Sequence, residues 1–88
     1  MVKVLLVTSE GCKPCSRVKR VLRELQFDMP DLVIETVDLA SPDGSKLAVE
    51  NGILYPPAVF IGGKLFGKGK IDADRMVESI RKANGDHD

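Results

Sequence analysis

Met1-Val-Lys-Val-Leu-Leu-Val-Thr-Ser-Glu-Gly-Cys12-Lys-Pro-Cys15-Ser-Arg-Val-Lys-Arg-Val-Leu-Arg-Glu-Leu25 changes its hydrophobic period midway, and that change decides the fold. The first eight residues are rich in leucine and β-branched side chains with a single charge, Lys3, which suits a strand buried on both faces of a helix-covered sheet. From Lys13 onward Val18, Val21, Leu22 and Leu25 recur at i, i+3, i+4 and i+7, the apolar stripe of an α-helix. Lys13, Arg17, Lys19, Arg20 and Arg23 take the rest of that helix's surface. Cys12 and Cys15 therefore fall on the first helical turn.

A thiol at that place is not an ordinary thiol. The unpaired N–H groups and the positive end of the helix dipole favour an anion, and Cys12, the first of the pair, is best placed to become a thiolate. Pro14 fits the first turn because its missing N–H would have had no helical partner. Lys13 adds a nearby positive charge, although a lysine at an exposed helix start is as often merely solvated. Cys15, one turn further in, is the less exposed thiol. The bland readings are weaker. A bridge closing so short a loop stabilises a fold by only about 2 kcal/mol in the chain-entropy model. A structural zinc site takes four ligands, whereas this chain offers Cys12, Cys15 and His87, the last in a polar tail. No metal residues are assigned. A reversible dithiol is the expectation.

Composition narrows the class. With 88 residues, 43 % of them hydrophobic, the chain can build one modest core without structural bridges. Its 13 basic residues balance 13 acidic ones, which argues against a nucleic-acid partner while leaving the basic helix face free to steer an acidic one. The opening apolar run is short, is interrupted by Lys3 and lacks a small-residue cleavage pattern, and no stretch approaches a membrane span. A cytoplasmic protein without a membrane partner is expected, with its two cysteines serving redox or metal chemistry rather than a secreted framework.

The remainder alternates. Leu32–Leu39 predicts a second strand, Ser41-Pro42-Asp43 a helix start and Asn51-Gly52 its stop, with Gly44 weakening that short helix. Ala58–Ile61 and Lys64–Phe66 flank Gly62-Gly63, a hairpin signal. A last helix begins near Asp72, buries Ala73, Met76, Val77 and Ile80, and ends around Asn84-Gly85. The domain spans 1–84, and 85–88 reads as a flexible tail containing a solvated His87.

Two stretches in this βαβαββα order carry a resemblance. Cys12-Lys-Pro-Cys15, and Leu47-Ala-Val-Glu-Asn-Gly-Ile-Leu-Tyr-Pro-Pro-Ala-Val-Phe-Ile-Gly-Gly63, are similar to the active-site motif, and to the second helix, Gly-Ile exit, cis-proline and hairpin, of the thioredoxin superfamily. Within it the chain resembles the short glutaredoxin-like proteins over nearly its whole length. The resemblance implies an α/β thioredoxin-like fold, with a mixed four-stranded sheet of order 2-1-3-4 flanked by helices. It also implies a thiol–disulfide oxidoreductase whose catalytic residues are Cys12 and Cys15. Lys13, Pro14, Pro56 and Pro57 would contact substrate, with Pro57 cis and beside Cys12; without the resemblance, Pro57 reads as an ordinary trans proline. Disulfide-containing proteins or small thiols would be the substrates, a reductase or small thiol the reductant, and the Cys12–Cys15 pair would need no further cofactor.

Several residues depart from the family pattern. Pro56 has no N–H to offer an extended substrate. Lys68 and Lys70 stand where glutaredoxins tend to carry acidic residues for glutathione's amino-acid end, and Gly11 replaces the tryptophan of typical thioredoxins. The strand before the first helix lacks the usual buried acid, leaving Glu10 as a candidate proton relay. An iron–sulfur or other metal carrier sharing Cys12 between two chains, and a redox-inert adaptor, remain alternatives. A copper carrier would need a βαββαβ order, which the Pro56-Pro57 segment opposes.

Overall fold

The computed structural model describes residues 2–85. Its elements run β1 (Lys3–Thr8), α1 (Lys13–Asp28), β2 (Val33–Asp38), α2 (Pro42–Asn51), β3 (Ala58–Ile61), β4 (Lys64–Lys68) and α3 (Ala73–Gly85), the βαβαββα order expected. The sheet order is β2-β1-β3-β4, with β1 parallel to β2 and antiparallel to β3, and β3 antiparallel to β4. Gly85 is the last residue of α3 rather than the first of a tail, and the rest of the expected tail, His87 included, lies outside the described residues.

Alternation along β1 divides the core in two. Val4 and Leu6 point into one cluster, formed with Val18, Leu22 and Leu25 of α1 and Met76 and Ile80 of α3. Val7 points to the opposite face, where Ile53, Ala58 and Phe60 join it and Leu47 and Ala48 of α2 close over them. The stripe that predicted α1 is the face it buries, extended by Cys15 one turn earlier. Leu22 has no exposed surface, and burying such a side chain stabilises the fold by roughly 1.5–3 kcal/mol. Ala73 and Val77 are only half-buried, since α3 covers the sheet chiefly through Met76 and Ile80.

Local chemistry sets the ends. Ser41 caps α2: its Oγ accepts the Gly44 N–H at 3.0 Å and donates to the Asp38 carbonyl at 2.6 Å. Gly52 ends the same helix in the left-handed region at φ 65°. Asp72 caps α3 through Oδ1, which accepts the Arg75 N–H at 3.2 Å. Gly62 and Gly63 turn the hairpin at φ 58° and 84°, values that L side chains rarely adopt. β4 runs two residues beyond its expected end, to Lys68, past a register shift between Val59 and Phe60 that the apolar pattern could not show.

Gly44 has a purpose that helix propensity hides. It is buried, and a Cβ there would run into the Asp38 carbonyl and lie 2.9 Å from the Leu39 Cα, so α2 packs its first turn directly on backbone. The expected result of Gly44→Ala is therefore a loss, although alanine is the better helix former. Overpacking of this kind costs about 1–3 kcal/mol, which for a domain of this size lowers the thermal midpoint by at least about 4 °C. Circular dichroism melts of the two proteins check it, and an unchanged or raised midpoint would refute the close-packing account.

Candidate active site

The chain leaves the C-terminal edge of the sheet at Thr8, turns through Gly11 at φ 77°, and delivers Cys12 as the N-cap of α1 in an extended conformation, φ −80° and ψ 105°. The Cys12 N–H donates to the Ser9 carbonyl at 3.3 Å, and its own carbonyl accepts the Ser16 N–H at 3.2 Å. Its sulfur accepts the Cys15 N–H at 3.1 Å, taking the role a serine or aspartate oxygen usually plays at a helix start. Negative charge on sulfur is stabilised at that place by the donor and by the helix dipole. Pro14 sits in the first turn, where it displaces no helical hydrogen bond.

Cys12 and Cys15 are joined as a disulfide with their Cα atoms 5.3 Å apart. The two sulfurs are not equivalent. Cys15 is 2 % exposed and belongs to the buried face of α1, whereas Cys12 is half-buried and faces a shallow depression of about 340 Å³ lined by Thr8, Ser9, Gly11, Lys13, Ser16 and Lys19. Lys13, which lines it, and the neighbouring Pro14 are both exposed. Among the described residues no charged or polar side chain is buried, so no carboxylate lies beneath the pair; Glu10 is exposed in the preceding loop. No group of three or more His, Cys, Asp or Glu among these residues could hold a metal ion, and no helix among them is long and apolar enough to cross a membrane.

The second motif reaches the same edge of the sheet by register. Ala58 pairs with Val7, so Pro57 arrives level with the end of β1, where the loop to Cys12 departs. The Pro56–Pro57 bond is cis, Pro57 is buried and Pro56 half-buried. The Pro57 carbonyl accepts the Gly69 N–H at 2.7 Å, tying this loop to the end of β4. The depression around Cys12 is lined by neither proline.

Two residues near this edge were not singled out by sequence reasoning. Leu54 and Tyr55, 87 % and 62 % exposed, stand just before the two prolines, and the Tyr55 ring lies so close over Gly69 that a Cβ there would come within 2.9 Å of it. Together with Gly52 and Lys68 they line a second depression. Two large apolar side chains ahead of a Pro-Pro turn were the available signal. Lys68 has a role that no local signal reveals: its Nζ donates to the Asn51 and Gly52 carbonyls, each at 3.1 Å, and so caps the C-terminal end of α2. Lys68 thus has a structural role besides standing where an acidic residue was expected; Lys70 is exposed.

Comparison with known proteins agrees with this geometry. The model of the glutaredoxin family matches residues 4–66. A thioredoxin of Methanocaldococcus jannaschii is 34 % identical over 82 residues, spanning 92 % of this chain and 94 % of that protein. Among solved structures, thioredoxin from Trypanosoma brucei brucei superposes with a TM-score of 0.71 at 20 % identity, covering 97 % of this chain and 76 % of its own. Oxidised mitochondrial thioredoxin 3 of Saccharomyces cerevisiae gives 0.69 at 22 % identity over 92 % and 77 %. The structural likenesses establish the thioredoxin-like fold. The glutaredoxin family match and the 34 % identical relative, together with the CxxC pair, define a thiol–disulfide oxidoreductase that acts on disulfide substrates with the help of a reductant. The chain belongs to the glutaredoxin family.

The difference in exposure between the two sulfurs generates a direct test. In the reduced protein at neutral pH, limiting iodoacetamide should modify Cys12 well before Cys15, as read by peptide mass mapping over time. Equal rates at the two positions would show that their burial does not govern access.

Proposed function

We propose that the protein is a dithiol reductase of protein disulfides, with Cys12 as the attacking thiol and Cys15 as the resolving thiol. The observation that carries this reading is the accessible Cys12 sulfur at the helix N-cap, backed by a buried Cys15 one turn away. In the proposed cycle the Cys12 thiolate attacks one sulfur of the substrate disulfide, the S–S bond breaks, and the departing thiolate takes a proton from solvent. Cys15 then gives up its proton and attacks the Cys12 sulfur. The second substrate thiol leaves, and the Cys12–Cys15 disulfide seen here is formed. Two electrons and two protons pass in total from the dithiol to the substrate.

Lys13 and Pro14 flank Cys12 where substrate approaches, and Pro56 and Pro57, which reach the same edge of the sheet outside the Cys12 depression, would contact the substrate chain beyond it, with Pro56 offering a carbonyl to accept a hydrogen bond but no N–H to donate. The cysteine pair is the only redox group in this cycle. Its proposed setting is the cytoplasm, where thiols are kept reduced. The reductant is assigned to a system other than glutathione, because Lys68 and Lys70 present like charge to glutathione's α-amino group. Support comes also from the 34 % identical archaeal relative, which bears the name thioredoxin.

Site variants test the roles. Cys12→Ser should abolish reduction of a protein disulfide, and Cys15→Ser should accumulate a mixed disulfide with substrate, visible as a mass increase that dithiothreitol removes. Turnover at the wild-type rate by either variant would reject the assignment.

The reductant is tested separately. Glutathione should support only slow, non-saturating turnover of 2-hydroxyethyl disulfide, and efficient saturable turnover would overturn the choice. Lys68→Glu should lower the thermal midpoint, since it puts a negative charge against the negative end of α2, an effect of about 0.3–1 kcal/mol.

A further inference from the structure

α1 carries Lys13, Arg17, Lys19, Arg20 and Arg23 with no acidic residue between them, although the chain as a whole is neutral. The ion pairs found among the described residues, Lys3 with Glu35 and Arg81 with Asp28, involve none of the five. Five positive charges have been gathered on one helix, and none of them is held in an ion pair among the described residues. Ser16, Lys19, Arg20, Arg23 and Phe27 share a stripe opposite the buried Val18, Leu22 and Leu25. The depression at Cys12 has Ser16 and Lys19 as its outer wall, and the same two residues begin a second depression that Arg20, Arg23, Glu24 and Phe27 complete. The two adjoin at Ser16 and Lys19, so a shallow, open groove starts at the redox pair and follows the exposed face of α1. Glu24 is its lone anion. Phe27, 87 % exposed, stands at its far end.

From Cys12 to Phe27 the helix advances by about 22 Å at 1.5 Å per residue, the reach of roughly six or seven residues of extended peptide. We propose that this groove docks an acidic segment flanking the reactive disulfide of a protein substrate, with an apolar side chain of that segment resting on Phe27. The proposal rests on the dithiol-reductase reading and gives it a substrate class. An occupant that begins at Cys12 must present a disulfide, and a protein does so where a nucleic acid does not. The unpaired cations select acidic sequence, and Phe27 supplies an anchor that charge alone would not need.

The test uses two cysteine peptides, each held as a mixed disulfide with thionitrobenzoate. One carries an Asp/Glu tract ending in leucine, and the other carries lysines in place of the acids. Release of thionitrobenzoate by the reduced protein is followed and normalised to release by dithiothreitol, which removes differences in intrinsic reactivity. At low ionic strength the acidic peptide should react about tenfold faster, and the difference should collapse in concentrated salt. Arg20→Glu/Arg23→Glu should erase or invert the preference while leaving reduction of uncharged 2-hydroxyethyl disulfide unchanged. Phe27→Ser should slow the leucine-ended peptide but not one ending in serine.

Equal normalised rates at low salt, or a preference that survives the double variant, overturn the groove. A single-stranded RNA oligonucleotide bound more tightly than the acidic peptide would overturn a protein occupant. Failure of the reduced protein to release thionitrobenzoate from either peptide would instead strike the dithiol reading underneath.

Discussion

β1 is hydrogen-bonded along both edges, in parallel to β2 and antiparallel to β3, and buries side chains on both faces. A strand so constrained has little freedom of register, because a slip of one residue would turn Val4 and Leu6 out of one core and Val7 out of the other. The active-site edge inherits that constraint. Thr8 fixes where the loop to Cys12 departs, and the Val7–Ala58 pairing fixes where Pro57 arrives. Two motifs separated by some forty positions are thus brought to one edge of the sheet by pairing with a common strand.

From there the difference between the two sulfurs follows from helix geometry alone. An N-cap residue lies half outside the helix, with its side chain turned back over the free N–H groups, whereas a residue three positions later has entered the periodic surface and, in α1, the face that meets the core. One sulfur is stabilised as an anion within reach of solvent, and the other is held in reserve. No buried carboxylate supports Cys15 among the described residues. In the proposed cycle its proton would leave by way of water entering at the Cys12 depression or through an exposed group such as Glu10.

What the sequence made legible was whatever depended on period or on local backbone chemistry. The α1 stripe, the Ser41 cap, the Gly52 stop and the Gly62-Gly63 turn could all be read because each is decided within a few residues. The resemblance supplied the sheet order and the cis bond at Pro57, neither of which local pattern determines. Features made by chain segments that meet only in the fold stayed hidden. Gly44 read as a weak helix residue because nothing nearby announces that its missing Cβ makes room for the Asp38 carbonyl. The capping role of Lys68 stayed hidden because its acceptors, the Asn51 and Gly52 carbonyls, lie in another part of the chain. Ala73 has the right residue type and phase for burial but sits too near the end of α3 for the sheet to cover it.

Lys68 also shows how a structural contact narrows chemistry. The last carbonyls of α2 have no helical donors and carry the negative end of the helix dipole, so an ammonium beside them satisfies acceptors and charge together. The same placement leaves a fixed positive charge beside Tyr55 and Gly69, at the edge shared with the Pro56-Pro57 loop. A ligand presenting its own ammonium there would meet like charge, at a cost of about 1 kcal/mol for a 4 Å separation in water and more where water is excluded. Carboxylates meet the opposite field, both here and along α1. Capping α2 and placing an ammonium beside Tyr55 are therefore consequences of one side chain, and on the proposed reading the second of these disfavours a thiol that carries its own ammonium.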